Sequence, residues 1–146
     1  MNEAVYQQAM RWLTRREYSA AELRQRLLQK QFSDEEITAV IEFLITQDYL
    51  SHERFVDQLV QNAVSKLNGP RWIHSKLQQH DIKEANLDQV YRSLGVDWPS
   101  QAARLLAKRK ISIQDTSECY RCLWQKGYTD VIIHSVLSVK DVGNDV

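Results

Sequence analysis

The 146-residue chain has 19 basic and 19 acidic residues, so its zero net charge indicates no partner, and an electrostatic argument must rest on how the charges are distributed. A hydrophobic fraction of 43% with only four glycines and two prolines excludes a disordered or fibrous chain and favours long helices. The sequence shows no apolar run near the ~20 residues of a membrane span and no signal-peptide pattern, and its two cysteines make no disulfide framework. We therefore expect a cytoplasmic protein without membrane contact.

Helix starts are the strongest local signals. Three segments have the capping-box pattern, in which a cap side chain and a glutamate three residues later satisfy each other's backbone: Ser19-x-x-Glu22, Ser33-x-x-Glu36 and Asp115-x-x-Glu118. Pro70 and Pro99 suit first helical turns, and Ser51 can cap the segment that follows it. In chain order we predict helices near residues 3–16, 19–30, 33–47, 51–67, 70–80, 84–94, 98–110, 115–126 and 129–139.

The predicted helices fall into three similar sets. Ile73 and Cys119 stand 50 and then 46 positions after Leu23, and the same offsets relate Leu27 to Leu77 and Leu123. Such spacing is typical of a buried stripe repeated in each unit. We predict an all-α fold, an elongated array of three tandem three-helix repeats over residues 1–50, 51–97 and 98–146.

The turn between the second and third helix of each predicted repeat has a common pattern. We expect the first of its two residues to adopt a left-handed backbone and the second to be an apolar plug. The pairs are Gln31-Phe32, Asp81-Ile82 and Gly127-Tyr128.

Basic and acidic residues are sorted between the helices. Residues 1–32 hold six basic and three acidic residues, whereas residues 33–50 hold five acidic and no basic ones. The third repeat is similarly sorted. If the repeats stack in register, their first two helices form a basic stripe suited to a long charged partner. The alternative is that these are solvated faces, with acidic residues favoured at helix starts. The candidate partner or DNA contacts are Arg24, Arg26, Lys30, Arg54, Lys66, Arg71, Trp72, Lys76, Arg104, Lys108 and Arg109.

The same alignment of the repeats separates the tryptophans and cysteines into core, packing and exposed positions. Trp72 occupies a polar position beside a cation, which predicts an exposed contact residue; the alternative is a half-buried ring packed on a neighbouring unit. The other tryptophans, Trp12, Trp98 and Trp124, are expected to pack between helices. Cys119 falls on a core position and Cys122 on an exposed one, so structural roles are predicted for both.

Catalytic chemistry finds no support in the sequence. Its four histidines lack metal-ligand spacing, and phosphate-binding loops and nucleophile elbows are missing. We expect a protein that is not an enzyme, with no catalytic or metal-binding residues, no cofactor and no small-molecule substrate.

Several segments together resemble the RecX family, small regulators of the RecA recombinase. The central ones are Asp48-Tyr49-Leu50, Arg54-Phe55-Val56, Gly69-Pro70-Arg71-Trp72-Ile73, Leu77 and Ile82. The flanking ones are Ser19-x-x-Glu22-Leu23-Arg24-x-x-Leu27, Asp97-Trp98 and Lys126-Gly127-Tyr128. Two departures stand out: Ser51-His52 replaces a pair of acidic residues, and Trp72 replaces a residue that is commonly basic.

The resemblance implies a cytoplasmic protein of tandem three-helix repeats that binds RecA and RecA–DNA filaments. It implies a regulator that mainly inhibits RecA in recombination, DNA repair and the SOS response, with no cofactor. Single- or double-stranded DNA is a further expected partner, and a monomer is expected. The alternative is a stand-alone helical DNA-binding protein with a basic stripe, and a third hypothesis is a structural adaptor whose charge sorting is incidental.

Overall fold

The computed structural model describes residues 1–83 and 85–144, with side chains as far as Ser138. The predicted all-α fold is confirmed, because the regular structure of the described residues consists of helices alone. In chain order these are α1 (Glu3–Leu13), α2 (Ala20–Gln29), α3 (Asp34–Thr46), α4 (His52–Ser65), α5 (Pro70–Gln79), α6 (Leu87–Ser93), α7 (Trp98–Lys108), α8 (Thr116–Gln125) and α9 (Asp130–Asn144).

The predicted caps start the helices as expected. Ser33 forms a complete capping box with Glu36, while Ser19 caps α2 through the N–H of Glu22 and Asp115 caps α8 in the same way. Ser51 accepts from the N–H of Arg54 at the start of α4. The predicted helix over residues 84–94 begins instead at Leu87, where Asn86 is the cap; Glu84 lies outside the described residues.

The left-handed turns are confirmed. Gln31, Asp81 and Gly127 have φ of 70°, 56° and 97°. Phe32, after the first of them, is half-buried, while Ile82 and Tyr128 are buried. Four further left-handed residues follow α3, α4, α6 and α7 and were not predicted from the sequence: Asp48, Leu67, Gly95 and Lys110. This backbone returns N–H groups to the last free carbonyls of a helix, as Tyr128 N–H does to Leu123.

The chain forms two compact units. The first contains Met1–Gln58 and Gln78–Ala85, and the second contains Leu59–Leu77 and Asn86–Val146. The core of the first unit is built by α1, α2 and α3 around Leu23, Leu27 and Ile37. The core of the second is built by α7, α8 and α9 around Leu105, Leu123 and Ile133. The three repeat boundaries predicted from the sequence stay a prediction.

Burial follows the predicted register at most of the aligned positions. Leu23, Ile73 and Cys119 are all fully buried. The prediction for Cys122 is wrong: its side chain is 4% exposed because it faces the core of the second unit, with the Arg109 guanidinium 3.6 Å from its sulfur.

Three tryptophans partly meet their predictions, and the fourth does not. Trp12 and Trp98 are half-buried against the cores of the first and second unit. Trp124 packs against α5 as an interhelical residue but keeps 40% of its surface exposed. Trp72 is half-buried rather than exposed, because its backbone and Cβ pack closely on Gly127.

Candidate partner-binding surfaces

A group of aromatic and charged residues joins α1 to α2 in the first unit. Here it is called the Trp12 cluster, and it consists of Trp12, Arg16, Tyr18, Glu22 and Arg26. The Trp12 and Tyr18 rings stack with centroids 6.4 Å apart. The Arg26 guanidinium lies 5.7 Å from the Trp12 ring and donates to the Tyr18 hydroxyl at 3.1 Å. Two arginines are therefore held beside aromatic faces, since Arg16 also lies 3.7 Å from the Tyr18 ring centre.

Glu22 balances the two arginines of the Trp12 cluster. Both of its oxygens accept from Arg16, at 3.1 and 2.7 Å, and Arg26 lies 3.7 Å away. Burial alone would raise the pKa of Glu22, but the hydrogen bonds and charge of Arg16, with smaller contributions from His80 and Arg26, lower it below the ordinary range. The fork pairing fixes the orientation of Arg16.

Beside this cluster lies a shallow depression lined by Trp12, Arg26, Gln29 and Lys30. Two of the predicted contact residues, Arg26 and Lys30, come together here with Trp12, which was predicted only to pack between helices. Arg24 is half-buried on the same helix and does not line the depression. An indole beside two cations, one of them exposed, offers both apolar area and charge to a partner.

Arg54, another predicted contact residue, is engaged within the first unit. Its guanidinium contacts the Glu17 carboxylate at 2.9 Å, the Asp48 carboxylate at 3.1 Å and the Asp48 carbonyl at 2.7 Å. The hydrogen bond to Glu17, and that to Asp48, raise the pKa of Arg54. These contacts fix the turn between α3 and α4, where Asp48 has a left-handed backbone.

Arg71 performs a comparable task in the second unit. Its N–H donates to the Gly127 carbonyl at 2.8 Å, its Nη1 donates to the Trp124 carbonyl at 2.8 Å, and its guanidinium lies 3.5 Å from the centre of the Trp124 ring. The neighbouring Trp72 ring lies 5.5 Å from the Nζ of Lys76. Arg71 thus ties the start of α5 to the end of α8.

Four cations gather where α4, α7 and α8 end. This group, the carboxyl-end cluster, consists of Lys66, Lys108, Arg109 and Lys126. The Nζ of Lys126 donates to the Lys66 carbonyl at 3.2 Å and to Asn68 Oδ1 at 3.1 Å. Burial lowers the pKa of Lys126, and the positive charges of Arg109, Lys108 and Lys66 lower it further. Like charges are therefore concentrated at this point of the second unit.

Three members of the carboxyl-end cluster, Lys66, Lys108 and Arg109, are predicted contact residues, whereas Lys126 was not predicted. A signal was present, because Lys126 precedes Gly127 as Lys30 precedes Gln31 in the first repeat. Arg104, another predicted contact residue, is exposed on α7 and donates to the Gln101 side chain at 3.1 Å. Gln101 in turn donates to the Val64 carbonyl.

Comparison with known proteins gives a family. The family model described as RecX, first three-helix domain, matches residues 6–44. A protein of Vibrio parahaemolyticus named Regulatory protein RecX is 31% identical over 139 residues, which cover 91% of this chain and 89% of that protein. The chain belongs to the RecX family.

Other RecX proteins agree with this assignment. The protein of the same name from Photobacterium profundum is 34% identical over 139 residues, covering 93% of this chain but 52% of the relative, so the chain spans about half the length of that protein. The crystal structure of RecX from Lactobacillus salivarius shares the fold, with a TM-score of 0.74 at 18% identity over 95% of this chain and 96% of that one.

Two of the segments by which the chain resembles RecX proteins pack against each other in this fold. A Cβ on Gly69 would lie 2.5 Å from the Gly127 backbone, and Gly69 N–H donates to the Lys126 carbonyl at 2.9 Å. The Gly69-Pro70-Arg71-Trp72 and Lys126-Gly127-Tyr128 segments are therefore two halves of one junction in the second unit. Within the described chain, no helix is long and apolar enough to span a bilayer, and no three metal-ligating side chains are grouped to hold an ion.

Proposed function

We propose that this RecX-family protein binds RecA and RecA–DNA filaments in the cytoplasm and mainly inhibits RecA activity in recombination, DNA repair and the SOS response. Family membership over nearly the whole chain is the observation that carries the proposal, since the relatives named Regulatory protein RecX match more than nine-tenths of it. The proposed action is binding rather than catalysis, by a monomer that needs no cofactor or small-molecule substrate.

Within the first unit, we assign the protein contact to the depression lined by Trp12, Arg26, Gln29 and Lys30. Tryptophan and arginine are enriched at the energetic centres of protein interfaces. Arg26 is already oriented by the Tyr18 hydroxyl and the two rings, so its ordering on binding loses little entropy. Lys30 is exposed at the edge of the depression, where it can steer an acidic surface toward the site.

The direct test measures RecA-dependent ATP hydrolysis and strand exchange on single-stranded DNA with the purified protein added. Inhibition at or below stoichiometric amounts is the expected result. RecA activity that stays unchanged at these amounts would remove the proposal.

Charge reversal locates the contact. The variant Lys30→Glu, at an exposed residue that lines the depression, should inhibit RecA at least about tenfold less effectively, because close interfacial charge pairs contribute more than about 1.4 kcal/mol. The matched control is Arg15→Glu, at an exposed position in the turn after α1, which changes the net charge equally. Lys30 forms no ion pair among the described side chains, so loss of inhibition should not come with loss of folding. Equal inhibition by both variants would place the RecA contact elsewhere.

A further inference from the structure

The carboxyl-end cluster brings four like charges together in the second unit. Lys66, Arg109 and Lys126 are the residues that directly follow Ser65, Lys108 and Gln125, the last helical residues of α4, α7 and α8. Lys66, Lys108 and Arg109 are exposed, while Lys126 is half-buried beneath them and is anchored to Asn68 and the Lys66 carbonyl. Three helix ends thus present cations on one patch of the unit.

These cations are not neutralised within the described part of the protein. The ion pairs among the described side chains involve arginines 16, 26, 54 and 121 with carboxylates, and none includes a member of the carboxyl-end cluster. Apart from the Cys122 thiol, the ionisable groups that act most strongly on Lys126 are its cationic neighbours. A group of uncompensated like charges costs stability through mutual repulsion, and a bound polyanion removes that cost.

The composition of the cluster favours a nucleic acid over a protein as the polyanion. Three of its four members are lysines, and lysine is depleted from protein–protein interfaces, where aromatic residues and arginine dominate. Protein–DNA interfaces are far more positive, and lysine serves there as a point charge for phosphate.

We propose that Lys66, Lys108, Arg109 and Lys126 form a binding site for the phosphate backbone of DNA. The contact is independent of base sequence, because lysine and arginine side chains that bind phosphates carry no sequence information themselves. The site goes beyond the proposed RecA contact, which lies in the first unit, and it holds whether or not the protein inhibits RecA.

The experiment measures binding of the full chain to a fluorescent DNA oligonucleotide, single-stranded or duplex, by anisotropy across a series of salt concentrations and without RecA. The test variant is Lys66→Gln, Lys108→Gln, because both side chains are exposed and form no hydrogen bond or ion pair with described residues. The matched control is Arg11→Gln, Arg15→Gln, which also removes two positive charges. A third variant, Lys66→Arg, Lys108→Arg, keeps the charges.

The parent protein is expected to bind both DNA forms with a steep loss of affinity as salt rises. In the test variant the slope of log affinity against log salt should fall by about 2 on duplex and about 1.4 on single strands, and affinity at low salt should drop roughly tenfold or more. The arginine variant and the control should resemble the parent.

Four outcomes would overturn the proposal. The first is a parent protein that does not bind naked DNA, and the second is an equal loss in the test and control variants, which would report net charge alone. The third is a lowered melting temperature with unchanged DNA binding, since cations at helix carboxyl ends also stabilise their helices. The fourth is unchanged DNA binding with lost RecA inhibition, which would make the cluster a protein contact. If the parent protein does not inhibit RecA, the proposed DNA-binding site is not affected by that result.

Discussion

The guanidinium of Arg71 lies 3.5 Å from the centre of the Trp124 ring and donates to the carbonyl oxygen of the same residue at 2.8 Å. One side chain thus satisfies a carbonyl near the end of α8 and covers a ring that is 40% exposed. The partner residue is 53 positions away in sequence. This contact joins α5 to α8 in the second unit, and it turns a cation predicted to meet a partner into one that also holds the fold together.

Replacing Arg71 with glutamine should lower the free energy of unfolding by about 1–2 kcal/mol, because it removes a charge-assisted hydrogen bond and a cation–π contact. Urea denaturation followed by tryptophan fluorescence measures the loss. The matched control is Arg121→Gln, whose side chain is 66% exposed and pairs with Glu118 at 3.4 Å; it should change stability by less than about 0.5 kcal/mol. Equal effects of the two substitutions would mean that Arg71 is an ordinary surface cation.

The helices and their turns could be predicted because their causes are local. Hydrophobic periodicity places Leu23, Ile73 and Cys119 in equivalent buried positions, and all three are fully buried. Gln31 and Asp81 were expected to have a left-handed backbone because Gly127 occupies the matching turn, and both do. The backbone conformation of this turn is therefore the same in all three predicted repeats.

The burial of side chains was predicted less well from the repeat positions. Cys122 shares its repeat position with Arg26 and Lys76, which predicted exposure. Those two long side chains lie half-buried beside aromatic rings, so the position is at the edge of a core rather than outside it. A long cationic side chain can leave such a position for solvent, whereas a short thiol stays inside.

The candidate site also depended on contacts that no local pattern contains. Lys66 and Lys126 are separated by 60 positions, and their proximity follows from the packing of three helix ends. Charge sorting predicted which helices carry cations. It could not show that Arg54 and Arg71 are engaged within their units, while Lys66 and Lys108 are exposed and have no such partners among the residues that the structure describes.

Gly127 should tolerate substitution less well than Gly95. Both have a positive φ, of 97° and 64°, but a Cβ on Gly127 would lie 2.7 Å from the backbone nitrogen of Trp72, whereas a Cβ on Gly95 has no described atom within 4 Å. Gly95→Ala should cost about 1 kcal/mol through its left-handed backbone alone, and Gly127→Ala about 2 kcal/mol or more. Thermal unfolding of both variants provides the comparison. Equal losses would show that the close packing on Trp72 relaxes without cost.

Glu22 should make the stability of the first unit sensitive to acid. Although its burial acts in the opposite direction, the contacts with Arg16 lower its pKa below the ordinary value of 4.5. The folded state therefore binds this proton more weakly than the unfolded chain. The stabilisation is present above the unfolded pKa and is lost as the pH falls through the lowered, folded pKa.

The variant Glu22→Gln should lose about 0.5–1 kcal/mol at neutral pH and show a flatter decline of stability below about pH 5. Denaturant titrations at several pH values measure both effects. Glu118→Gln is the matched control, because Glu118 holds the same repeat position with a single, longer contact to Arg121. An acid decline of the same steepness in Glu22→Gln and the parent would contradict the assignment.

Tyr91 should make the stability of the second unit sensitive to alkaline pH. Its hydroxyl is buried without a hydrogen-bond partner among the described residues, and burial, with a smaller contribution from the charge of Asp88, raises its pKa from 10.0 to about 12. A raised pKa means that the fold favours the neutral phenol. This stabilisation is fully present below pH 10 and is lost as the pH rises toward about 12.

Tyr91→Phe should therefore leave the free energy of unfolding unchanged near neutral pH or raise it by up to about 1 kcal/mol, because it removes a buried polar atom that lacks a partner. Above pH 10 the variant should lose less stability than the parent, as measured by urea denaturation across the alkaline range. Tyr49→Phe serves as the control, since the Tyr49 side chain is 47% exposed. A destabilised variant at neutral pH would show instead that the hydroxyl has a partner, such as an ordered water molecule in the shallow depression lined by Asp88, Arg92 and Trp98.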